Sequence, residues 1–278
     1  MAQFALDGFA IITGAASGIG KGVGLTFAEA GAAGIIFADI NGDGATRAAE
    51  ESNEIAAHPS YRAIGAQIDV TNAASIQKVV DLAVKEFGRI DYLVNSAGVD
   101  VAEYVPITET NEDDYERVMA VNTKGTFLMI KAVAKVMQGQ APRTVNLKRV
   151  GERSIGRGSI VNVASAAALA AVPGKVAYIS SKHAVLGVTR TAAIDLNKDG
   201  IRVNMVSPTW VRTAMFEEEC RRVPAVPEMV KKLFPLGRPL EPDEVGSAAQ
   251  YLCSPSAVYI TGTSIALDGG LLAGPSFS

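Results

Sequence analysis

Short apolar runs alternate with longer, helix-patterned stretches through most of the chain. The runs Phe9–Thr13, Gly34–Asp39, Tyr61–Asp69, Ile90–Asn95, Ser159–Ala164, Ile201–Ser207 and Thr263–Leu267 read as strands. Several lack polar alternation, Ile35-Ile36-Phe37-Ala38 being the plainest, and such strands suit a parallel sheet covered on both faces. Helices are predicted near Gly18–Ala30, Gly44–Ala57, Ala73–Phe87, Glu112–Met137, Lys175–Asn197 and Pro242–Cys253. Thr71 or Asn72 is placed to cap the third, and Asn111 with Asp114 three residues on resembles a start signal for the fourth. Repeated strand–helix–strand units imply an α/β fold around a parallel sheet with right-handed crossovers. No composition shift or long linker divides the chain, so residues 1–278 are expected to form one domain.

Two segments break the rhythm. Gln138–Gly158 carries Arg143, Lys148, Arg149, Arg153 and Arg157 with few large apolar residues, and reads first as a solvated surface loop or hairpin. Thr209–Leu240 mixes Trp210, Met215, Phe216, Met229 and Phe234 with prolines and charges after a strand end. It is a candidate substrate lid for an apolar substrate, with ordinary packing of a small helical subdomain as the competing reading.

Composition narrows the partners. Apolar residues make up 48% and charged residues 20%, a globular balance, and the net charge of −3 offers nothing to nucleic acid or an anionic membrane. No apolar stretch approaches the ~18 residues of a membrane span. Cys220 and Cys253 are far apart without a CxxC spacing, and the N-terminus lacks a basic region followed by an apolar run. Reduced thiols and a cytoplasmic location are therefore expected. His58 and His183 are the only histidines, so no histidine-rich metal site is expected.

The first strand runs into Thr13-Gly14-Ala15-Ala16-Ser17-Gly18-Ile19-Gly20-Lys21 and then a helix. Glycines there let the backbone approach a pyrophosphate, and the helix N-terminus presents free N–H groups. Asp39 closes the second strand, 19 residues after Gly20, where a carboxylate can accept hydrogen bonds from ribose hydroxyls. Its charge would repel the 2′-phosphate of NADP, so NAD is the expected cofactor. A P-loop is excluded: Gly14 and Gly20 have five residues between them, and Gly22 rather than Ser or Thr follows Lys21.

Tyr178-Ile179-Ser180-Ser181-Lys182 opens a helical stretch, and residues four apart share a helix face. A lysine cation beside a phenol, together with the positive nicotinamide ring of the oxidised cofactor, is expected to favour the phenolate and lower its pKa from about 10. Ser165, thirteen residues earlier, ends an apolar strand where open parallel sheets bind ligands. With Thr13-Gly14-x-x-x-Gly18-Ile19-Gly20, Asp69-Val70, Asn95-Ser96-Ala97-Gly98, Asn122 and Pro208, this set resembles the short-chain dehydrogenase/reductase family from Phe9 to about Gly270.

The resemblance implies a Rossmann-like, doubly wound parallel sheet of about seven strands, assembled as a homotetramer or homodimer. It implies hydride transfer between the dinucleotide and a small-molecule carbonyl or secondary alcohol. Ser165 would orient the substrate oxygen and Tyr178 exchange its proton. Lys182 would bind the nicotinamide ribose and lower the Tyr178 pKa, and Asn122 would hold a water linking Lys182 to solvent. Gly14, Ser17, Gly18, Ile19 and Gly20 would hold the pyrophosphate, and Asp69 and Val70 would meet the adenine. Asn95, Ala97 and Gly98 would line the cofactor and steady the sheet, while Pro208, Val211 and Thr213 would flank the nicotinamide. The family's usual Asn-Asn-Ala-Gly reads Asn95-Ser96-Ala97-Gly98, and its usual Pro-Gly reads Pro208-Thr209, which is expected to restrict the backbone there. The long basic segment resembles insertions in fungal members devoted to secondary metabolism. A Ser-His-Asp hydrolase is excluded, since no Gly-x-Ser-x-Gly elbow exists. A non-catalytic nucleotide sensor, or an isomerase or cyclase without net redox change, is the remaining alternative.

Overall fold

The computed structural model describes residues 4–147 and 151–274. Its strands are β1 (Phe9–Thr13), β2 (Gly34–Asp39), β3 (Arg62–Gln67), β4 (Tyr92–Asn95), β5 (Arg143–Leu147), β6 (Gly151–Gly156), β7 (Gly158–Val163), β8 (Ile201–Pro208) and β9 (Ser264–Leu267). Its helices are α1 (Gly18–Glu29), α2 (Gly42–Asn53), α3 (Ala73–Phe87), α4 (Glu112–Met119), α5 (Thr126–Gly139), α6 (Val176–Asn197), α7 (Ala214–Arg222), α8 (Val226–Leu233) and α9 (Pro242–Cys253).

Seven strands form one parallel sheet in the order β3-β2-β1-β4-β7-β8-β9. The missing polar alternation now has its cause. Ile12, Ile35 and Phe37 pack into the cluster on one face, with Val23 and Phe27 of α1 and Val245 and Leu252 of α9. Their neighbours Ile11, Ile36 and Ala38 pack into the cluster on the other face, with Val79 and Val80 of α3 and Met129 and Val133 of α5. Each large side chain so buried contributes about 1.5–3 kcal/mol. Strand order reverses between β1 and β4, and the crevice beyond their carboxyl ends is where an open α/β sheet takes its ligand.

The helix starts follow the local signals. Asn72 accepts from the amides of Ala74 and Ser75, and Asn111 from that of Asp114. The predicted helix Glu112–Met137 is interrupted, however, by a π-helical turn at Ala120–Gly125 between α4 and α5. The hydroxyls of Thr126 and Thr123 donate to the carbonyls of Asn122 and Ser181 there, at 2.8 and 3.2 Å. A π-turn inserts a residue without changing the side-chain types, so periodicity gives no warning of it.

The Gln138–Gly158 segment is an antiparallel hairpin of β5 and β6, with Lys148 and Arg149 outside the described residues. It leads into the N-terminal end of β7, the sheet edge opposite the strand carboxyl ends, so it does not approach a ligand there. Two of its arginines are anchors rather than solvated charges. Arg143 reaches Asp7 and the Tyr92 hydroxyl, while Arg157 donates to the carbonyls of Gln140 and Asp199.

The Thr209–Leu240 segment divides between its two expected roles. Val226, Val230 and Phe234 form a small core with Trp210, Phe216, Cys220 and Val223, and the Trp210 and Phe234 rings meet edge-on, 5.9 Å apart. Trp210, Met215 and Phe216 also line the cleft described next, whereas Met229 and Phe234 do not. Among the described residues no helix is long and apolar enough to cross a membrane, and no group of three or more metal-ligating side chains gathers.

Candidate active site

The glycine loop is shaped by close backbone contact. Gly14 and Gly18 adopt φ of 68° and 53°, the left-handed region that L side chains avoid. A Cβ on Gly20 would lie 2.2 Å from the Gly14 carbonyl oxygen, so α1 can start against the loop only with glycine there. Ser17 occupies the N-cap position of α1 in extended backbone, and its side chain makes no capping hydrogen bond. The first-turn amides of α1 are thus free to meet an anion, and Thr213 faces them, its Cγ2 3.1 Å from where a Gly18 Cβ would be. The Thr13 hydroxyl accepts from the amides of Ser96 and Ala97 at 3.1 and 3.2 Å, joining this loop to the one after β4.

Asp39 ends β2 beside the loop. One carboxylate oxygen accepts from the Ala16 amide at 3.0 Å and the other from the Asn41 amide at 2.9 Å. Each oxygen keeps lone-pair capacity for a ribose hydroxyl. Asp69 accepts from the Thr71 amide and hydroxyl, and Val70 is buried against Gly125. Asn95 turns into the sheet instead, donating to Asn162, which donates to Thr189 of α6. Ala97 packs into the α3–α5 side of the core. Of the Asn95–Gly98 segment, Ser96 and Gly98 reach the cleft. The left-handed glycines, the uncapped helix start and the carboxylate at the end of β2 together fit a dinucleotide.

Beyond the carboxyl ends of β4, β7 and β8 lies a cleft of about 240 Å³. Ile19, Gly98, Ser165, Tyr178, Lys182, Pro208, Val211 and Thr213 all line it. Ser165 caps the turn after β7, accepting from the Ala167 amide at 3.1 Å, and lines the cleft together with the Tyr178 phenol. Lys182 is 6% exposed, donates to the Val163 carbonyl at 3.1 Å, and sits 5.4 Å from the centre of the Tyr178 ring. Asn122, in the π-turn, clamps Val99 from both sides and donates to Ser181 at 3.0 Å. Asn122 and Lys182 converge on Gly98, where a Cβ would come within 3.4 Å of the Asn122 Oδ1 and 3.7 Å of the Lys182 Nζ.

Burial dominates the electrostatics of the Tyr178–Lys182 pair. It pushes the phenol up to about 12, opposed mainly by the neighbouring Ser165 side chain. Burial likewise brings the Lys182 ammonium down to about 8, the Asp100 carboxylate opposing. Desolvation penalises both charged forms, and Lys182 spends a donor on a carbonyl, so the pair does not separate charge in this structure. The phenol is therefore a protonated acid at neutral pH. A second cation, Lys175, also acts on it, 5.7 Å from the centre of its ring.

Sequence reasoning missed Lys175, Asp100 and Glu219. All three line the cleft, with the Lys175 ammonium 2.9 Å from each carboxylate. Ordinary charged residues carry no motif; the one available signal was the three-residue spacing of Lys175 and Tyr178, which gives a shared helix face. Thr209 causes no strain: no non-glycine residue among the described ones has a positive φ, and its amide donates to Leu267 at 3.1 Å.

A family model described as Enoyl-(Acyl carrier protein) reductase matches residues 14–272. The chain is 42% identical over 265 residues to the short-chain dehydrogenase anuF of Penicillium roqueforti, spanning 95% of this chain and 96% of that protein. It is 36% identical over 266 residues to an NAD-dependent glycerol dehydrogenase of Listeria innocua, spanning 95% and 93%. Among solved structures, levodione reductase superposes with a TM-score of 0.87 at 27% identity, covering 98% of this chain and all (100%) of that one.

Proposed function

The chain belongs to the short-chain dehydrogenase/reductase family, NAD(P)-dependent oxidoreductases of alcohols and carbonyls, and on that premise we propose that it prefers NAD and uses Tyr178 as its proton-transferring acid. The observation that carries the assignment is the convergence of Ser165, Tyr178 and Lys182 on one cleft at the sheet's carboxyl edge, the Lys182 ammonium 5.4 Å from the centre of the Tyr178 ring. A bound dinucleotide supplies the hydride, from C4 of its nicotinamide ring.

The chain's own residues do the rest. Gly14, Ser17, Gly18, Ile19 and Gly20 would hold the pyrophosphate on the free amides of α1. Asp39 would bind the ribose hydroxyls and repel a 2′-phosphate, and Asp69 and Val70 would meet the adenine. Pro208, Val211 and Thr213 would flank the nicotinamide. Ser165 Oγ donates to the substrate oxygen and holds it at the phenol, and Tyr178 Oη delivers its proton as negative charge develops there. Lys182, with its ammonium brought down to about 8, is acidic enough to return a proton to the phenolate, and Asn122 beside it at Gly98 would hold the relaying water. Trp210, Met215 and Phe216 favour a substrate with an apolar body. Phe127 of α5 and Ile194 of α6, apolar side chains 46% and 78% exposed on adjacent helices, support a homo-oligomer.

The test follows NADH absorbance with a panel of ketones and secondary alcohols. Tyr178→Phe is expected to reduce turnover at least 1000-fold, a loss of about 4 kcal/mol in transition-state stabilisation, while NADH still binds. Unchanged turnover would discard the assignment. Wild-type binding of NADH without turnover of any panel compound would favour a sensor or non-redox enzyme.

A further inference from the structure

Tyr178 is surrounded by more charge than its assigned chemistry uses. Its own helix contributes Lys175 at the start and Lys182 two turns further on. The loop after β4 contributes Asp100 and Tyr104, and α7 contributes Glu219 and Arg222. Arg117 of α4 donates to the Asp100 carbonyl and pairs with Asp114. At the centre, the Lys175 ammonium contacts Asp100 and Glu219 at 2.9 Å each, with all three side chains 12–15% exposed. It lies 4.4 Å from the centre of the Tyr104 ring and 5.7 Å from that of Tyr178. Glu219 is itself held by the Trp210 indole at 3.1 Å, and Arg222 donates to the carbonyls of Val101 and Ala102.

Resting on the reading of Tyr178 given above, we propose that Lys175 is a positioning residue that ties α7 to the proton-transferring phenol, its ammonium held by Asp100 and Glu219 against the Tyr178 ring. The triad has two fixed negative charges and one positive. Lys175 is thus the only member that favours the phenolate, and both carboxylates oppose it. Because Glu219 rides on α7, the wall of the cleft and the proton affinity of Tyr178 are set by one cluster. Displacement of α7 would remove a carboxylate from the phenol's surroundings and leave Lys175 paired with Asp100 alone.

Opposite signs separate this role from a structural one. In alcohol oxidation with NAD, the acid limb of the pH–kcat profile reports the proton-accepting group in the complex. Lys175→Met is expected to move that limb to higher pH by about one unit, as expected for losing a charge near a half-buried group. Glu219→Gln retains an amide oxygen for Trp210 and is expected to move the limb to lower pH by a similar amount. Lys175→Arg, restoring the cation, is expected to return it to within about 0.3 unit of wild type. NADH binding and thermal unfolding verify that each variant is folded; should Lys175→Met fail to fold, the shift of Glu219→Gln to lower pH still decides, and an unshifted or raised limb there overturns the proposal. Limbs that stay in place or move the same way, with Tyr178→Phe inactive, overturn the proposal alone. An active Tyr178→Phe overturns it together with the reading it rests on.

Discussion

Removing the Asp39 carboxylate tests the cofactor preference directly. The side chain ends β2 with both oxygens bound by one backbone amide each, so it is held in place rather than free to swing away. A charged hydrogen bond from a ribose hydroxyl contributes about 1.5–3 kcal/mol, which Asp39→Ala forfeits with NAD. A 2′-phosphate carries about −1.5 to −2 charge units, and each unit about 5 Å from the carboxylate costs about 1–3 kcal/mol near a protein surface. Asp39→Ala removes that repulsion. Taking about 2 kcal/mol for each effect, the ratio of kcat/KM for NADH over NADPH should fall roughly 1000-fold. Asp39→Asn keeps an acceptor and loses only the charge, so its ratio should fall about 30-fold. Both variants loosen the Ala16 and Asn41 amides, but that affects the two dinucleotides equally and cancels in the ratio. Steady-state kinetics with one carbonyl substrate and both reduced dinucleotides give the answer. A wild-type enzyme equally efficient with NADPH, or an unchanged ratio in Asp39→Asn, would refute the reasoning.

Two further outcomes follow from the same structure. Gly20→Ala places a methyl 2.2 Å from a backbone carbonyl, a clash that no rotamer relieves. It should lose about 1–3 kcal/mol of stability by thermal unfolding and weaken NADH at least tenfold in a fluorescence titration, and unaltered affinity would show that the loop does not bind the dinucleotide. Arg238 and the Glu241 amide hold Glu244 down to about 2, below its ordinary 4.5. A depressed carboxylate stabilises the fold fully above its unfolded pKa and loses that contribution as pH falls toward 2. Because the pair is 40% and 35% exposed, solvent screening leaves only a modest effect. Glu244→Gln should therefore melt about 2 °C below wild type at pH 7, with the gap closing between pH 4.5 and 2, and a gap independent of pH would argue against it.

Much of this protein is legible in one dimension because the relevant physics is local. A strand buried on both faces must be apolar at every position, so Phe9–Thr13 and Gly34–Asp39 could be bounded to the residue, as could the capped helix Ala73–Phe87. Gly14, Gly18 and Gly20 announce themselves because only glycine tolerates those dihedrals and contacts. Ser165, Tyr178 and Lys182 were found through spacing, since a strand end and a helix face bring them to one cleft.

What tertiary structure decided depends on groups far apart in the chain. The π-turn that aims Asn122 at Val99 and Ser181 leaves no trace in periodicity, because it inserts a residue without changing the side-chain types around it. The split of Trp210, Met215 and Phe216 from Met229 and Phe234 required knowing which side of α7 and α8 meets the body. The proton affinity of Tyr178 was inferred from Lys182 and an oxidised nicotinamide ring, a reading that holds no information on burial, which raises it. Desolvation is summed over every atom that excludes water, and Lys175, Asp100 and Glu219 come from three separate elements, so no linear pattern could show their effect.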